Sequence, residues 1–571
     1  VNRQHDDEIL GKAYDARLAR RLVGYLRPAA RVFSAVLGVM LIEILLASAG
    51  PYLLGRAVDA GVRARDAAAV GRIAALFFAA QAASAALGYA VNYLLAIVEQ
   101  RVMIGLRMEI YSRVVYQSMA FFGREPVGRL LTRVMNDVQS IADLFSTGVI
   151  AILHDLAAIA IVTAILLALD ARLATILLAV VPPLALAMSI LNRRIRGSFR
   201  ELRKLLARIN AYLAECLSGI RVIQVFGYEE PAFRRFHGLN RAHLETQLGS
   251  VHYHALYATI VTVLTSGTIA ALLWVGGSAA LRGAVEVGVL VSFVGYAQQL
   301  FNPVRDLADK YAIFQSAMAS AERIFQVLDA PVSVINPERP EPLGPIRGEI
   351  ELRDVSFRYE PEAPWALRHV SLRVRPGERV AIVGHTGAGK STIVNLVTRF
   401  YDVTEGAVLV DGRDVRSVDK RELRRQIGVV LQEPFVFAAS VLENIRLLDP
   451  RISEEDARRA ARAVGAESWI LRLPKGYEEP LRERGATLST GEKQLLSFAR
   501  ALAFDPRVLV LDEATASVDP ETEARLQEAV RTLIRGRTSI IIAHRLGTIR
   551  DVDRVLVFHR GELREEGSVP D

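Results

Sequence analysis

The sequence predicts two joined architectures: an α-helical transmembrane domain of six helices with long cytoplasmic arms, followed by an α/β domain built around a phosphate-binding P-loop. Three observations predict it. Six apolar runs of about 20 residues, each able to cross a hydrocarbon layer of roughly 30 Å, fill the first half of the chain. The second half alternates short strand-like and helix-like stretches. Within it Gly384 to Thr392 reads GHTGAGKST, between a short apolar run and an apolar-periodic segment, the setting in which a Gly-rich turn cradles phosphate.

Composition agrees. Of 571 residues 51% are hydrophobic, and mean hydropathy is positive, high for a soluble enzyme. The formal net charge of +8 is carried mainly by arginines flanking the apolar runs, which suits an anionic lipid surface. No basic patch interleaved with aromatics is present, so nucleic acid is not an expected partner. The lone Cys216 excludes an intrachain disulfide and cysteine-cluster metal sites. Only seven of the 70 basic residues are lysine, a usage that points to a GC-rich bacterial genome. Both ends read as trimmed, and the first apolar run serves as its own insertion signal.

In chain order, Asp15 to Leu26 has leucines at helical spacing with arginines between them, predicting an interfacial helix that ends before Pro28. The six apolar segments are Val32 to Leu54, Ile73 to Val98, Phe145 to Leu169, Leu173 to Leu191, Val251 to Leu281 and Val285 to Phe314. The links after the second and fourth, Glu99 to Leu144 and Asn192 to Ser250, are long, charged and helix-patterned. Paired helices of about 20 residues there would project roughly 30 Å beyond the bilayer. Arg193, Arg194, Arg196, Arg200, Arg203 and Arg208 place those arms on the cytoplasmic side. Pro182-Pro183 and Pro303 are expected to mark kinks. The transmembrane domain is taken as residues 1–328, a proline-rich linker as 329–345 and the α/β domain as 346–571. In the latter, Glu349 to Tyr359, Arg379 to Val383, Val508 to Leu511 and Ser539 to Ala543 read as strands, with a helix-rich insertion around Ser453 to Asp505.

The chemistry concentrates in the second half. In the loop Gly384-His385-Thr386-Gly387-Ala388-Gly389-Lys390-Ser391-Thr392, glycines let backbone N–H groups turn inward around a triphosphate. Lys390 supplies a point charge and Ser391 a magnesium ligand. This is an ATP site. Val508 to Leu511 ends in Asp512-Glu513, giving Asp512 a magnesium role and placing Glu513 to polarise an attacking water. Gln432, after a strand-like stretch, has the reach to touch metal and water, and His544 to hold the γ-phosphate or orient Glu513. In the membrane half Glu43, His154, Asp155, Gln298, Gln299, Asn302, Arg305 and Asp306 interrupt the apolar runs, as pathway residues or as helix-to-helix pairs.

With those residues in order the chain resembles the ABC transporter ATPase family over nearly its whole length. Tyr359 stands where the family stacks an aromatic on adenine. Leu488-Ser489-Thr490-Gly491-Glu492 resembles its signature, Glu483-Arg484-Gly485 its exporter X-loop and Ala516-Ser517-Val518-Asp519 its D-loop. Phe121-Phe122-Gly123 to Asp137 and Phe226-Gly227-Tyr228-Glu229-Glu230 resemble the coupling segments of half-exporters, six helices fused to one ATPase domain. The resemblance implies a fold of ABC type, ATP and Mg2+ as cofactors, export of amphipathic small molecules across a bacterial cytoplasmic membrane, and a dimer in which each ATP lies between one chain's phosphate loop and the other's signature. Where the family reads LSGGQ, this chain has Thr490 and Glu492. A side chain and a carboxylate added beside polyphosphate weaken closure. Intact Glu513 and His544 therefore imply a heterodimer with a half-transporter of consensus signature, like the catalytic-glutamate half of heterodimeric bacterial multidrug exporters and of the peptide transporter TAP. The alternative is a homodimeric lipid flippase.

Overall fold

The computed structural model describes residues 16–62, 65–512, 520–543 and 550–568. They form two units, one of Val1–Val115 with Val127–Ala330, the other of Tyr116–Pro126 with Pro331–Asp571.

The first unit is helical. It contains α1 (Ala16–Gly24), α2 (Ala30–Val62) and α3 (Ala67–Val115); α4 (Met119–Arg124) belongs to the second unit. Then come α5 (Val127–Thr132), α6 (Val138–Asp143) and α7 (Ala151–Leu169), joined through wider π turns at Arg133–Asp137 and Leu144–Ile150. After these follow α8 (Ala171–Ala179), α9 (Val181–Ser218), α10 (Ile220–Val225), α11 (Glu229–Leu281) and α12 (Val287–Asp329). The arms are not separate helices. The 49 residues of α3 and 53 of α11 run unbroken from apolar span into charged arm, each about 75–80 Å long. Asp170 separates α7 from α8 by accepting N–H bonds from Arg172 and Leu173 at 2.8 and 3.0 Å, an N-cap. Pro182-Pro183 opens α9 instead of kinking a helix, because proline's missing N–H costs nothing in a first turn. Arg21 of α1 stacks on Phe325 and pairs in bidentate fashion with Asp329 at 2.7 and 2.8 Å, holding α1 to the end of α12.

Five helical stretches among the described residues are long and apolar enough to cross a membrane: Arg27–Gly61, Ala67–Val115, Val127–Leu169, Ala171–Met188 and Glu229–Leu281. The expected count of six is not reached. The sixth expected segment falls on α12, whose apolar stretch is diluted by Gln298, Gln299 and Asn302.

One of these, Gln299, joins α12 to α2, together with neighbours on the same helix. Pro51 lies inside α2 and has no N–H for the carbonyl of Ala47, four residues back. The Gln299 amide donates to that carbonyl at 3.2 Å, Tyr296 donates to Ser48 O at 2.6 Å and Ser292 to Pro51 O at 3.0 Å. One turn on, the Gly288 N–H donates to Asp59 Oδ1 at 2.7 Å. These α12 positions share one face. Glycine makes the approach possible: a Cβ on Gly55 would lie 2.2 Å from Gly288 O, and one on Gly288 2.0 Å from Gly55 O. Gln299 is thus a helix-to-helix partner. Arg305 and Asp306 lie on α12, with their side chains outside the description.

The second unit carries two sheets. A four-stranded antiparallel sheet has the order β2 (Leu367–Val374), β1 (Ile350–Phe357), β4 (Glu405–Val410), β5 (Arg413–Asp414). A six-stranded sheet has the order β10 (Glu562–Gly567), β9 (Arg554–His559), β3 (Arg379–Val383), β8 (Thr538–Ile542), β7 (Val508–Asp512), β6 (Ile427–Val430). All neighbours in the larger sheet are parallel except β10 with β9. β7 reads as an apolar run up to Asp512 and β8 is buried along its whole length, because both faces are covered. One core packs α13 (Lys390–Val397), through Ile393, Leu396 and Val397, between the two sheets; α14 (Lys420–Gln426) adds Leu423. A second core joins the other face of the large sheet to α15 (Val441–Arg446), α16 (Glu454–Ala463), α17 (Glu467–Ile470), α18 (Thr490–Ala503) and α19 (Pro520–Ile534), around Trp469, Leu496 and Phe498. The sequence reading overran β1 and missed most of the antiparallel sheet, whose short strands are broken by turns.

Candidate nucleotide site

Parallel strands bring the chemistry to one edge. Across the large sheet Ile382 of β3 pairs with Ile542 of β8, Asp512 of β7 with that same Ile542, and Val430 of β6 with Leu511. The carboxyl ends of four adjacent strands therefore share one level. The phosphate loop leaves β3 there, Asp512 ends β7, and Gln432 follows β6 by two residues. Glu513, His544 and the segment Ala516 to Asp519 lie outside the described residues.

The loop's glycines are there for space as well as for dihedral freedom. Gly389 has φ +99°, and a Cβ on it would lie 2.7 Å from Ala366 O and from Leu367 Cδ2. A Cβ on Gly384 would lie 2.3 Å from Phe558 O. Gly387 also takes a positive φ, and the N–H of Ala388 donates to His385 O, closing the turn that holds Thr386. Lys390 is buried, and its Nζ donates to Gly384 O at 2.7 Å and His385 O at 3.1 Å, so its charge lies inside the loop's curve. Ser391 Oγ donates to Asp512 Oδ2 at 3.4 Å, joining loop and strand end. A hydroxyl and a carboxylate converging beside a buried lysine form an oxygen donor set suited to magnesium on a phosphate chain.

Tyr359, just past β1, is about two-fifths exposed, and its hydroxyl lies 3.1 Å from Thr392 Oγ1. Its ring meets Phe357 and Tyr401 edge-on at 4.9 and 5.1 Å, and Asn395 Nδ2 donates to its hydroxyl at 3.3 Å. Tyr401 and Asn395 were not singled out from the sequence, since only folding brings them to Tyr359. Burial raises the Tyr401 phenol above its ordinary range. Next to Tyr359, Glu360 pairs with Arg124 of α4 at 3.3 Å, and Ser118 meets Ser333 at 2.7 Å.

The signature-like segment forms the start of α18. Ser489 is its N-cap: Ser489 Oγ accepts the Glu492 N–H at 3.3 Å, while Glu492 Oε2 accepts both the backbone N–H and the hydroxyl of Ser489 at 2.9 Å. The Glu492 carboxylate thus folds onto the helix's own N-terminus. Thr490 opens the helix, and buried Gly491 packs so closely that a Cβ would lie 2.3 Å from Thr522 Cγ2. Glu483 to Gly485 form one short turn before it, with Arg484 at φ +53°.

Residues 33–304 match the family model of the ABC transporter transmembrane region, and residues 367–516 match the family model described as ABC transporter. Similarity to whole proteins extends nearly end to end. An uncharacterized ABC transporter ATP-binding protein of Bacillus subtilis, YknV, is 36% identical over 98% of this chain and 93% of its own length. The chain belongs to the ABC transporter family. A probable multidrug resistance ABC transporter of B. subtilis, YheH, is 39% identical over 84% of this chain and 71% of its own. The ATP-dependent lipid A-core flippase of Syntrophus aciditrophicus is 35% identical over 96% of this chain and 91% of its own. As an ABC transporter this chain is a multi-pass membrane protein with a cytoplasmic ATPase domain. It uses ATP and Mg2+ and couples hydrolysis to moving small molecules across a membrane.

Proposed function

We propose that this chain is one half of a heterodimeric exporter of amphipathic small molecules, with one competent and one impaired ATP site. α12 serves as the sixth crossing. Tyr359 stacks on adenine, the loop from Gly384 to Thr392 wraps the phosphates, and Ser391, Asp512 and Gln432 hold magnesium. The metal supplies positive charge to the terminal phosphates. Glu513 takes a proton from the attacking water and His544 steadies the group being transferred. Ser489 to Glu492 face the partner's nucleotide.

The observation that carries this reading is the carboxylate at the start of α18. A helix N-terminus attracts anions through its free N–H groups and dipole. Here Glu492 already lies on it and takes the Ser489 hydroxyl as a donor. A phosphate arriving there meets like charge and a donor pointed elsewhere, while Thr490 adds bulk. Self-paired chains would carry this defect twice, whereas a partner with an uncharged signature leaves one good site beside Lys390 and Glu513. Closure of the paired ATPase domains draws on the arm tips, Gly123 to Arg129 and Gly227 to Phe233, and tilts the membrane helices.

Purification from native membranes tests the pairing: a second half-transporter with a consensus signature is expected to accompany this chain. Vigorous hydrolysis by reconstituted self-pairs, equal to that of the mixed assembly, overturns it. The similarity to a lipid flippase supports a second reading, a homodimeric flippase; that reading requires full lipid-stimulated turnover from this chain alone.

A further inference from the structure

Halfway along the membrane helices lies a cluster of ionisable groups that the nucleotide site does not use. Glu43 is near the midpoint of the span Arg27–Gly61, about 24 Å of helix from one end and about 27 Å from the other. From α3, Ser84 Oγ donates to Glu43 Oε1 at 3.2 Å; from α7, His154 Nε2 lies 3.3 Å from Glu43 Oε2. His154 Nδ1 is 3.5 Å from Asp155 Oδ1, and Lys310 of α12 pairs with the other Asp155 oxygen and donates to Ala151 O at 3.4 Å.

The charges do not balance. Lys310 cancels Asp155, and this inner pair is mostly buried, with side chains 16% and 8% exposed. Among the described residues the ionisable groups facing Glu43 are His154 and, behind it, that neutral pair; α3 adds only a hydroxyl. With a neutral imidazole the cluster therefore carries one net negative charge, on Glu43. The His154 side chain beside it is 41% exposed in the single chain. A carboxylate at that depth, here 18% exposed, faces water or protein rather than lipid, and is stabilised by whatever cation reaches it.

We propose that Glu43 and His154 form a recognition site for the cationic head, a protonated or quaternary amine, of an amphipathic substrate, which binds in exchange for a proton on His154. The proposal rests on the transport reading above and names its substrate class. Imidazolium and substrate cation compete for one carboxylate: when His154 is neutral Glu43 accepts the ligand's charge, and when it is protonated the site is internally neutral. The unbranched Glu43 carboxylate supplies attraction, and the apolar walls of α2 and α7 supply contact for the tail.

The test is equilibrium binding, without nucleotide, to the complete transporter in phosphatidylcholine nanodiscs. The probes are a fluorescent amphiphile with a quaternary ammonium head and its uncharged analogue with the same tail. At about pH 8 the cationic probe is expected to bind about tenfold more tightly than the neutral one, and the preference to fall severalfold by about pH 5.5. Glu43→Gln should abolish the preference, and Glu43→Asp should retain it. His154→Gln should keep it at both pH values. Thermal unfolding midpoints report whether each variant is folded. Equal affinity of the two probes for the wild type, or a preference that survives in folded Glu43→Gln, overturns the proposal. Because binding is read without ATP, it is separable from transport: failure of ATP-driven accumulation of both probes in vesicles overturns the export reading, whatever the binding result.

Discussion

The Ser489–Glu492 pair turns a departure from the signature pattern into a charge placed at a defined spot. Glu492→Gln keeps the cap's geometry and removes the charge, so turnover by self-paired chains is expected to rise about threefold or more, read as steady-state phosphate release. Glu513→Gln is expected to leave ATP binding intact and to cut turnover of the mixed assembly below about a tenth, since a transition-state contact is worth more than ~1.4 kcal/mol. Retained turnover would remove Glu513 from the role of base. Residues in linear motifs were legible in the sequence because phosphate binding needs consecutive N–H groups and a lysine at fixed spacing. Lys310 was not, because its partner Asp155 lies 155 positions away and only helix packing joins them. The capping box was written in the sequence too, as Ser-x-x-Glu. There, its carboxylate was read as a defect toward phosphate rather than as a local structural bond.

At the level of elements, the meeting of α2 and α12 makes the sharpest demand on residue type. Gly288→Ala must move backbone, since the added Cβ falls on Gly55 O. A loss of about 1–3 kcal/mol, seen as a lowered thermal midpoint in detergent, is the expected outcome. Gly105→Ala in α3 is the contrast: its Cβ meets nothing within 4 Å, and helix propensity favours it slightly. An unchanged Gly288→Ala would show that this contact is looser than drawn. Apolar runs announced the membrane helices because hydrocarbon demands them. That α3 and α11 continue as single rods into the arms was hidden, because a charged helix in water and an apolar one in lipid look like different segments. The antiparallel sheet was hidden for another reason, as strands of two to eight residues give too few alternations to read.

For the whole molecule, acid sensitivity has an identifiable contributor. Arg379 binds Asp553 through Nη2 at 2.6 Å and through its own backbone N–H at 2.8 Å, tying β3 to the start of β9. This holds the Asp553 carboxyl below its ordinary 3.8. Its contribution is complete above that value and is lost as pH falls through the depressed native one. The wild type's stability advantage over Asp553→Asn is therefore expected to shrink below about pH 3.8 and to be constant between about pH 5 and 7, as unfolding midpoints would report. The α2 and α12 contact bears on motion as well. Two rods cemented backbone to backbone, with one plugging the gap that a proline opens in the other, travel as one plank through the catalytic cycle. Spectroscopic labels at Leu41 and Val287 should keep a constant separation between nucleotide-free and ATP-trapped states, so whatever swings during transport hinges elsewhere.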